Sequence, residues 1–206
     1  MIDNNLCSHN LQPIWLGQTL NLLKTELSLL VNTRRQVLEI LSFQGDKQLI
    51  IEDPERLFQA FHNILIYAIR YTPDGGKINV DGRTLPGFIE ITFTDNGMGI
   101  SPEDNSIFFE KFGQLGETAQ HSSGKTKFKG GEPGLGLPIA RGIIKAHSGT
   151  VWVESEGCDE KRCPGRTFHI LLPARTEPSD PKLEILFGIE VKGNIPSSVF
   201  SNEYKE

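Results

Sequence analysis

The sequence lacks a long apolar run, a strong excess of either charge and a recognisable secretory leader. No apolar stretch in the 206 residues approaches the roughly 20 that a membrane-spanning helix needs, and the first residues do not follow the basic-then-apolar order of a signal peptide. The formal net charge is −5 and the pI is near 5.6, which argues against a nucleic-acid binder or a polybasic membrane ligand. We therefore expect a cytoplasmic protein whose partners are recognised at specific sites.

Cysteine is scarce, with three residues: Cys7, Cys158 and Cys163. The last two lie in "CDEKRC", between two strand-like segments. A disulfide is one alternative, but cysteines this close in a cytosolic chain are more often free thiols. A zinc site would need a second ligand pair, and no nearby segment supplies one. We expect free thiols and no protein-built metal centre.

Hydrophobic periodicity predicts a mixture of helices and strands. A first helix is predicted by leucines at helical spacing in "QTLNLLKTELSLLV", and a second helix begins at Glu55, just after Asp53 and Pro54. Its apolar face is predicted to contain Leu57, Ala60, Phe61, Ile64, Leu65 and Ala68, and the opposite, polar side is predicted to contain His62, Asn63, Tyr67 and Arg70. Strands alternate with these helices in mixed order, for example "FIEITFTD" and "RTFHILLP". The order predicts a two-layer α/β sandwich rather than a doubly wound parallel fold.

Composition divides the chain into three parts. We expect residues 1–17 to be an N-terminal remnant or linker, residues 18–173 to be one domain, and residues 174–206 to be a linker and tail. The tail is consistent with an extra strand, with the start of a neighbouring domain or with a disordered end. Within the domain, residues 101–133 lack a clean period, which is typical of a functional lid or a disordered loop.

Two glycine clusters carry the chemistry. In "TFTDNGMGI" a strand leads into Asp95, and Gly97 and Gly99 follow, so a carboxylate is held where glycines permit close approach of backbone. In "GGEPGLGLPIARG" glycines precede a helix whose first N–H groups can hold phosphate oxygens. Either cluster alone is consistent with a simple tight turn, and neither has the Walker A or Rossmann spacing. Together they suggest a nucleotide held between a carboxylate and a lid.

The order of the boxes "HNILIYAIRYTP", "DNGMGI", "FFEKFG", "GGEPGLGLPIARGIIKAHSG" and "GRTFHILLP" resembles the ATP-binding catalytic domain of sensor histidine kinases. These kinases belong to the Bergerat-fold ATPase superfamily, and the resemblance covers roughly residues 18–173. It implies an α/β sandwich in which a mixed sheet of about five strands is covered by three helices, with a long ATP lid.

The resemblance also implies roles around the base. Asp95 matches the carboxylate that accepts a hydrogen bond from the adenine amino group. Gly97 and Gly99 would let the chain pass under the base, and Ile100 would pack on it. Tyr71 matches an aromatic residue near adenine, although a core position at a helix end explains it nearly as well.

Other positions follow from the same resemblance. Thr167 matches a threonine that approaches the base, with Arg166 between it and the preceding glycine, and Phe112, with Phe109, matches the box that anchors the lid. Arg70 stands where a basic residue lies near the phosphates. The phosphates themselves are expected at the glycine turn and the following helix: Gly134, Leu135, Gly136 and Leu137.

Asn63 points to transfer rather than hydrolysis. Relatives that hydrolyse ATP, such as gyrase and MutL ATPases, carry a glutamate general base at this point of the helix, and an amide cannot accept a proton from water. The resemblance therefore implies a phosphotransferase, with Asn63 and Arg70 positioning the triphosphate and Mg²⁺.

Tyr67 departs from the pattern, because it stands where these kinases place a second asparagine that binds Mg²⁺. A neutral phenol is a poor ligand for a hard cation. Either the metal is held by phosphates, waters and Asn63, or catalysis has been lost, or the alignment is wrong by one turn. The in-phase positions of Asn63, Tyr71 and Thr72 argue against the last alternative.

The expected partners follow from what the chain does not contain. His9, in "SHNLQP", precedes too few residues to form the hairpin that carries an acceptor histidine. The acceptor would lie in an upstream region or on another protein, and a response regulator would receive the phosphoryl group. The first interpretation is a histidine kinase catalytic domain that uses ATP. The alternatives are a degenerate binding or regulatory module, and a serine-directed kinase of the anti-sigma type.

Overall fold

A computed structural model describes residues 11–41, 49–101, 109 and 135–174. Three helices lie in this part of the chain: α1 (Leu16–Thr33), α2 (Pro54–Tyr71) and α3 (Gly136–Ala146). Seven strands accompany them: β1 (Gln12–Trp15), β2 (Val37–Ile40), β3 (Leu49–Glu52), β4 (Lys77–Leu85), β5 (Phe88–Asp95), β6 (Thr150–Glu154) and β7 (Arg166–Pro173).

Five of the strands form one mixed sheet in the order β2-β4-β5-β7-β6. The β2–β4 pair is parallel, and the other three pairs are antiparallel. The two remaining strands, β1 and β3, form a separate antiparallel pair. The predicted two-layer α/β sandwich, with a mixed sheet of about five strands and three helices, is confirmed.

Helix α2 begins at Pro54, one residue before the predicted Glu55, and packs as its sequence predicts. The Asp53 side chain accepts a hydrogen bond from the Arg56 N–H at 3.1 Å, and Pro54 occupies the first helical position, where no N–H is needed. The six residues of the predicted apolar face are all buried, with exposed fractions of 1 % or less: Leu57, Ala60, Phe61, Ile64, Leu65 and Ala68. The helix ends at Tyr71, two residues before Pro73.

The core lies between α2 and the centre of the sheet. Phe93 of β5 is fully buried, faces Phe168 of β7 in register and packs against Phe61 of α2 at a centroid distance of 5.8 Å. Because side chains alternate between the two faces of a strand, every second residue of β5 and β7 joins this core. The same alternation brings the last residue of β5 and the first residue of β7 to the helix side.

Arg34 connects the end of α1 to the end of α2. Its guanidinium is buried and donates hydrogen bonds to the carbonyl oxygens of Ile69 at 2.6 Å and Thr72 at 2.9 Å. Its Nε atom donates to Asp74 at 2.8 Å. Carbonyl groups in the last turn of a helix lack intrahelical partners, so a cation there satisfies them and complements the helix dipole. The C-terminal end of α2, which carries Tyr67 and Tyr71, is thereby fixed.

The opposite face of the sheet carries a polar cluster. His169 of β7 stacks on Trp152 of β6 at a centroid distance of 4.7 Å, and its Nδ1 atom lies 2.9 Å from Glu90 Oε1. Arg83 of β4 also donates to Glu90. Burial raises the pKa of Glu90, but the hydrogen bonds with His169 and Arg83 outweigh it and bring the pKa below its ordinary value. This cluster is separated from the helix side by the sheet itself.

The structure departs from the expected boundary at the N-terminal side. Residues 1–17 were expected to be a remnant or linker, yet Gln12–Trp15 pairs with β3, and Ile14 and Leu16 are part of the hydrophobic core. Of the predicted lid, Ser101 and Phe109 are described, and the rest of 101–133 lies outside the described residues. The same holds for His9, Cys7 and the tail from residue 175 onward.

The core interpretation predicts that Phe93→Ala lowers the free energy of unfolding by about 3–5 kcal/mol, because the cavity would lie between fully buried side chains. Phe88 begins the same strand and is 40 % exposed, so we expect Phe88→Ala to cost about 1 kcal/mol or less. Urea unfolding of both variants measures the difference. Equal losses would contradict the assignment of Phe93 to the core.

Candidate functional site

Asp95, the last residue of β5, lies buried at the base of the candidate site. It is 3 % exposed, and its two carboxylate oxygens already have partners. Oδ1 accepts a hydrogen bond from the Gly97 N–H at 2.9 Å, and Oδ2 accepts one from Arg166 Nε at 2.8 Å. Burial raises the pKa of Asp95, while the Arg166 charge and these hydrogen bonds oppose the rise. The predicted base-binding acid is therefore engaged within the protein.

Arg166 is brought to Asp95 by the pairing of β5 and β7. The two residues are direct partners in the antiparallel register, and both side chains are 1 % exposed or less. Above the ion pair, the guanidinium carbon lies 4.9 Å from the ring centre of Tyr67 and 5.3 Å from that of Tyr71. Arginine planes stack well on aromatic rings. The site thus contains a buried cation between an acid and two tyrosines.

Tyr67 and Tyr71 form one wall of the site. They are one helical turn apart on α2, and their rings stack at 4.4 Å. Tyr67 also meets the edge of Phe168 at 5.9 Å. Burial raises the pKa of Tyr67, and the Arg166 charge opposes this only in part. The phenol therefore stays protonated, and the side of α2 predicted to be polar faces the end of the sheet.

The glycine loop after Asp95 is packed against the protein's own backbone. A Cβ atom at Gly97 would collide with the Tyr71 carbonyl and with Asp95. Gly99 has a φ of +77°, and a Cβ there would collide with the Gly157 carbonyl and would lie 2.9 Å from Ser155 Oγ. Both glycines are thus required by close approach of other segments, which is a structural requirement separate from any ligand.

The loop of residues 155–165 packs against this glycine loop and forms hydrogen bonds with its backbone. Gly165 donates its N–H to the Gly97 carbonyl at 2.9 Å, and Asp159 donates to the Met98 carbonyl at 2.8 Å. Ile100 donates to Ser155 Oγ at 3.1 Å and is itself 1 % exposed. Ile100 is thus a buried part of this packing.

Thr167 lies on the other face of the sheet from Asp95. Its hydroxyl is 3.1 Å from that of Thr94, and the alternation of β7 turns both away from the helices. The structure therefore differs from the expectation that Thr167 approaches the base, and Arg166 takes the position facing Asp95. Phe109 lies on the helix side, 6.3 Å from Phe168, whereas Phe112 lies outside the described residues.

Asn63 stands at the other end of the site, near the start of α3. A Cβ atom on Gly136 would lie 3.7 Å from Asn63 Oδ1, so the amide faces the first turn of that helix. Leu135 precedes the helix without a side-chain cap, and Leu137 is buried against the core. The first N–H groups of a helix that has no such cap suit an anion. Gly134 lies outside the described residues.

Arg70 is half-buried on α2, about two turns after Asn63 and one turn after Ile66. It was predicted to lie near the phosphates. Asn63 thus lies beside Gly136 at the start of α3, while Asp95, Gly97 and Tyr71 share the end of the sheet.

From the sequence, Arg166 was recognised only as the residue between Gly165 and Thr167 in "GRTF". A usable signal was present, because Arg166 and Phe168 are two positions apart in a strand and so share a face. What was missing is the strand register, which joins positions 71 residues apart. Among the described residues, no group of three His, Cys, Asp or Glu side chains could hold a metal ion. No helix in the described ranges combines the length and hydropathy that crossing a bilayer requires.

Comparison with protein families gives a match over residues 52–176 to the family described as Histidine kinase-, DNA gyrase B-, and HSP90-like ATPase. The sensor histidine kinase CusS of Escherichia coli K12 is 35 % identical over 134 residues, which are 65 % of this chain and 25 % of CusS. WalK of Bacillus subtilis 168 is 30 % identical over 152 residues, which are 72 % of this chain and 23 % of WalK. The chain thus spans about a quarter of these relatives.

Solved structures show the same fold. A mycobacterial sensor histidine kinase, MprB, superposes with a TM-score of 0.62 at 25 % identity, covering 81 % of this chain and 99 % of that one. Full-length ShkA in complex with AMPPNP gives a TM-score of 0.66 at 21 % identity, covering 84 % of this chain and 33 % of that one. ThkA in complex with the response regulator TrrA gives 0.63 at 18 % identity, covering 82 % and 43 %.

Gly99 and Gly87 offer a test of the close approach at the glycine loop. Their φ values are +77° and +76°, but a Cβ at Gly87 would meet nothing within 4 Å. Alanine at either position pays about 1–2 kcal/mol for the left-handed conformation. We expect Gly99→Ala to lower the free energy of unfolding by about 1–3 kcal/mol more than Gly87→Ala, because of the added clash. Equal losses in urea titrations would disprove the close packing.

Proposed function

We propose, from the premise that the chain belongs to the family of histidine kinase-, DNA gyrase B- and HSP90-like ATPases, that it is the catalytic part of a sensor histidine kinase. It binds ATP in the cytoplasm and transfers the γ-phosphoryl group to a histidine outside the described domain. The curated relatives that resemble it over most of its described length are sensor histidine kinases, which supports this class over other members of the family.

The single observation that carries the proposal is that Asn63 of α2 lies beside the first residue of α3. The amide faces Gly136 at the N-terminal end of that helix, where phosphate oxygens are stabilised by N–H groups and by the helix dipole. An amide cannot act as the general base that activates water. A nucleotide held there is protected from hydrolysis by this residue type and is available to a nucleophile brought from elsewhere.

The chemical step requires positioning more than covalent chemistry from this chain. A nitrogen of the acceptor imidazole attacks the γ-phosphorus, and a P–N bond forms as the P–O bond to the β-phosphate breaks. The electron pair of that bond leaves with ADP, and the imidazole proton passes to solvent or to a base on the acceptor. Asn63, Arg70 and the first turn of α3 would hold the triphosphate in line.

Mg²⁺ is implied by the family, and the donor set present suits it only in part. The Tyr67 phenol does not fit, because burial raises its pKa and keeps it neutral. Asn63 offers one amide oxygen, and Mg²⁺ commonly completes its shell with phosphate oxygens and waters. The ion, when bound, would neutralise charge that develops on the triphosphate. Asn63 is the residue proposed to contact it.

The partners are an acceptor domain and a response regulator. ThkA, which shares the fold, has been solved in complex with the response regulator TrrA. We propose that this chain acts together with a histidine-bearing helical hairpin, upstream or on another protein, and that a receiver domain then accepts the phosphoryl group.

Replacing Asn63 tests the proposal directly. Asn63→Ala should lower phosphotransfer from ATP to a supplied acceptor hairpin on the order of 100-fold, because the triphosphate loses its positioning contact. The matched control is Asn21→Ala on the exposed side of α1, which should leave the rate unchanged. Labelled phosphohistidine, identified by its acid lability, is the readout.

The outcome also separates kinase classes. An acid-stable phosphoserine product would assign the chain to a serine-directed kinase instead. No transfer by the wild-type chain to any supplied acceptor, with ATP bound, would overturn the kinase proposal.

A second candidate function is favoured by Tyr67 and Arg166. Both lie where the nucleotide and its metal are expected, and the two side chains contact each other. A domain whose site is filled in this way could act as a non-catalytic binding or regulatory module in a signalling protein. This candidate predicts intact folding and partner binding without phosphotransfer.

Tyr67→Asn distinguishes a blocked site from a working one. The change supplies an amide oxygen and removes a bulky ring, so Mg²⁺-dependent ATP affinity should rise at least about tenfold. Phe58→Asn is the control, because it removes a ring from the same helix beside His62, away from Asp95. Calorimetry with and without Mg²⁺ measures the effect. Unchanged affinity would show that position 67 does not limit metal binding.

A further inference from the structure

We propose that the guanidinium of Arg166 occupies the base-recognition position of the nucleotide site and competes with adenine for Asp95. Arg166 would thereby be the residue that sets nucleotide affinity in this chain. The inference rests on the proposed function, because it assumes that adenine is bound at Asp95.

The hydrogen bond of Arg166 has the chemistry expected of the base. Adenine presents an exocyclic amino group, an N–H donor at the edge of a flat ring. Arg166 presents Nε–H, also a donor at the edge of a flat group, and this donor is 2.8 Å from Asp95 Oδ2. Since Asp95 is 3 % exposed and Oδ1 is held by Gly97, a base amino group reaching Oδ2 would have to displace the arginine.

The stacking contacts of Arg166 also match those of a base. Its guanidinium carbon is 4.9 Å from the Tyr67 ring centre, 5.3 Å from that of Tyr71 and 6.0 Å from that of Phe168. Nucleobases stack on aromatic side chains in the same way. One flat cation thus lies among three aromatic rings that would otherwise be available to a flat heterocycle.

The guanidinium is incompletely satisfied where it lies. Its Nη2 atom is buried and has no hydrogen-bond partner among the described residues, although Arg166 as a whole is 3 % exposed. A buried donor without a partner is costly. The unpartnered donor therefore adds a cost to the arrangement in which Arg166 lies on Asp95, and that cost would be relieved if the side chain moved to water.

Competition of this kind lowers the apparent affinity for the nucleotide in proportion to the fraction of molecules in which Arg166 has left the site. Tyr67 strengthens the competitor, since its ring is the nearest of the three to the guanidinium. Tyr67 and Arg166 then act together to limit nucleotide binding.

The test is the affinity for adenosine and for ATP, measured by calorimetry without Mg²⁺. Arg166→Thr removes the competing cation and keeps a β-branched residue suited to a strand. We expect both ligands to bind at least about tenfold more tightly to Arg166→Thr than to the wild-type chain. Using adenosine restricts the measurement to the base pocket, because it has no phosphate.

Arg83→Thr is the matched control. Arg83 pairs with Glu90 on the other face of the sheet, so the same substitution there should leave both affinities unchanged. Circular dichroism establishes that each variant is folded before binding is measured. Equal or weaker binding of both ligands by folded Arg166→Thr would overturn the inference, and weaker binding would instead make Arg166 a contact to the base.

A second measurement uses the wild-type chain, in case Arg166→Thr fails to fold. The Nε–H resonances of buried arginines are observable by NMR, and Arg34 supplies an internal reference because its Nε is held by Asp74 at 2.8 Å. Saturating adenosine should shift the Arg166 signal toward that of a solvent-exposed arginine and leave Arg34 unchanged. A bound state in which the Arg166 signal does not move would overturn the inference.

Failure of the inference and failure of the proposed function give different results. Tighter binding by Arg166→Thr without phosphotransfer to the acceptor hairpin supports the inference and contradicts the kinase function. Phosphotransfer by the wild-type chain, with weaker binding by Arg166→Thr, keeps the function and overturns the inference.

Discussion

The antiparallel register of β5 against β7 is the constraint on which both the core and the site depend. It pairs Phe93 with Phe168 in the buried centre and, one further pair along the same face, Asp95 with Arg166. A shift of one residue would turn every one of these side chains to the opposite face. The apolar pairs therefore determine the position of the polar pair. The free energy gained by burying the phenylalanines offsets the cost of removing the Asp95–Arg166 ion pair from water, a cost that the ion pair does not recover unaided.

Much of the architecture could be read from local patterns. Helix α2 has its start signal, Asp53 and Pro54, and its apolar face in the sequence; the structure begins the helix within one residue of the prediction and buries that face. The position of Asp95 at the end of a strand was equally local. Periodicity failed at Tyr67, which it assigned to a polar side. That side faces the end of the sheet rather than open solvent, and a helical repeat contains no information about which element lies opposite.

Arg166 could not be recognised from sequence for a related reason. Its position in the site depends on pairing with Asp95, 71 positions earlier in the chain. The register of that pairing cannot be read from the composition of either strand alone. Thr167 shows how much a one-residue ambiguity matters, because adjacent residues in a strand point to opposite faces. The side chain beside Asp95 is the buried guanidinium of Arg166, and the Thr167 hydroxyl lies on the other face beside Thr94. The identities of Arg166 and Thr167 could be read from the sequence, but the face of the sheet on which each lies could be assigned only from the fold.

The close approach at Gly99 makes two distant segments of the chain structurally dependent on each other. The loop around Gly157 fills the space that a side chain at position 99 would need, and the same loop holds Met98 and Gly97 through backbone hydrogen bonds. A change in the conformation of either segment would therefore require a compensating change in the other. Grafting this glycine loop into another scaffold would therefore require transplanting residues 155–165 with it, although the two are far apart in the chain.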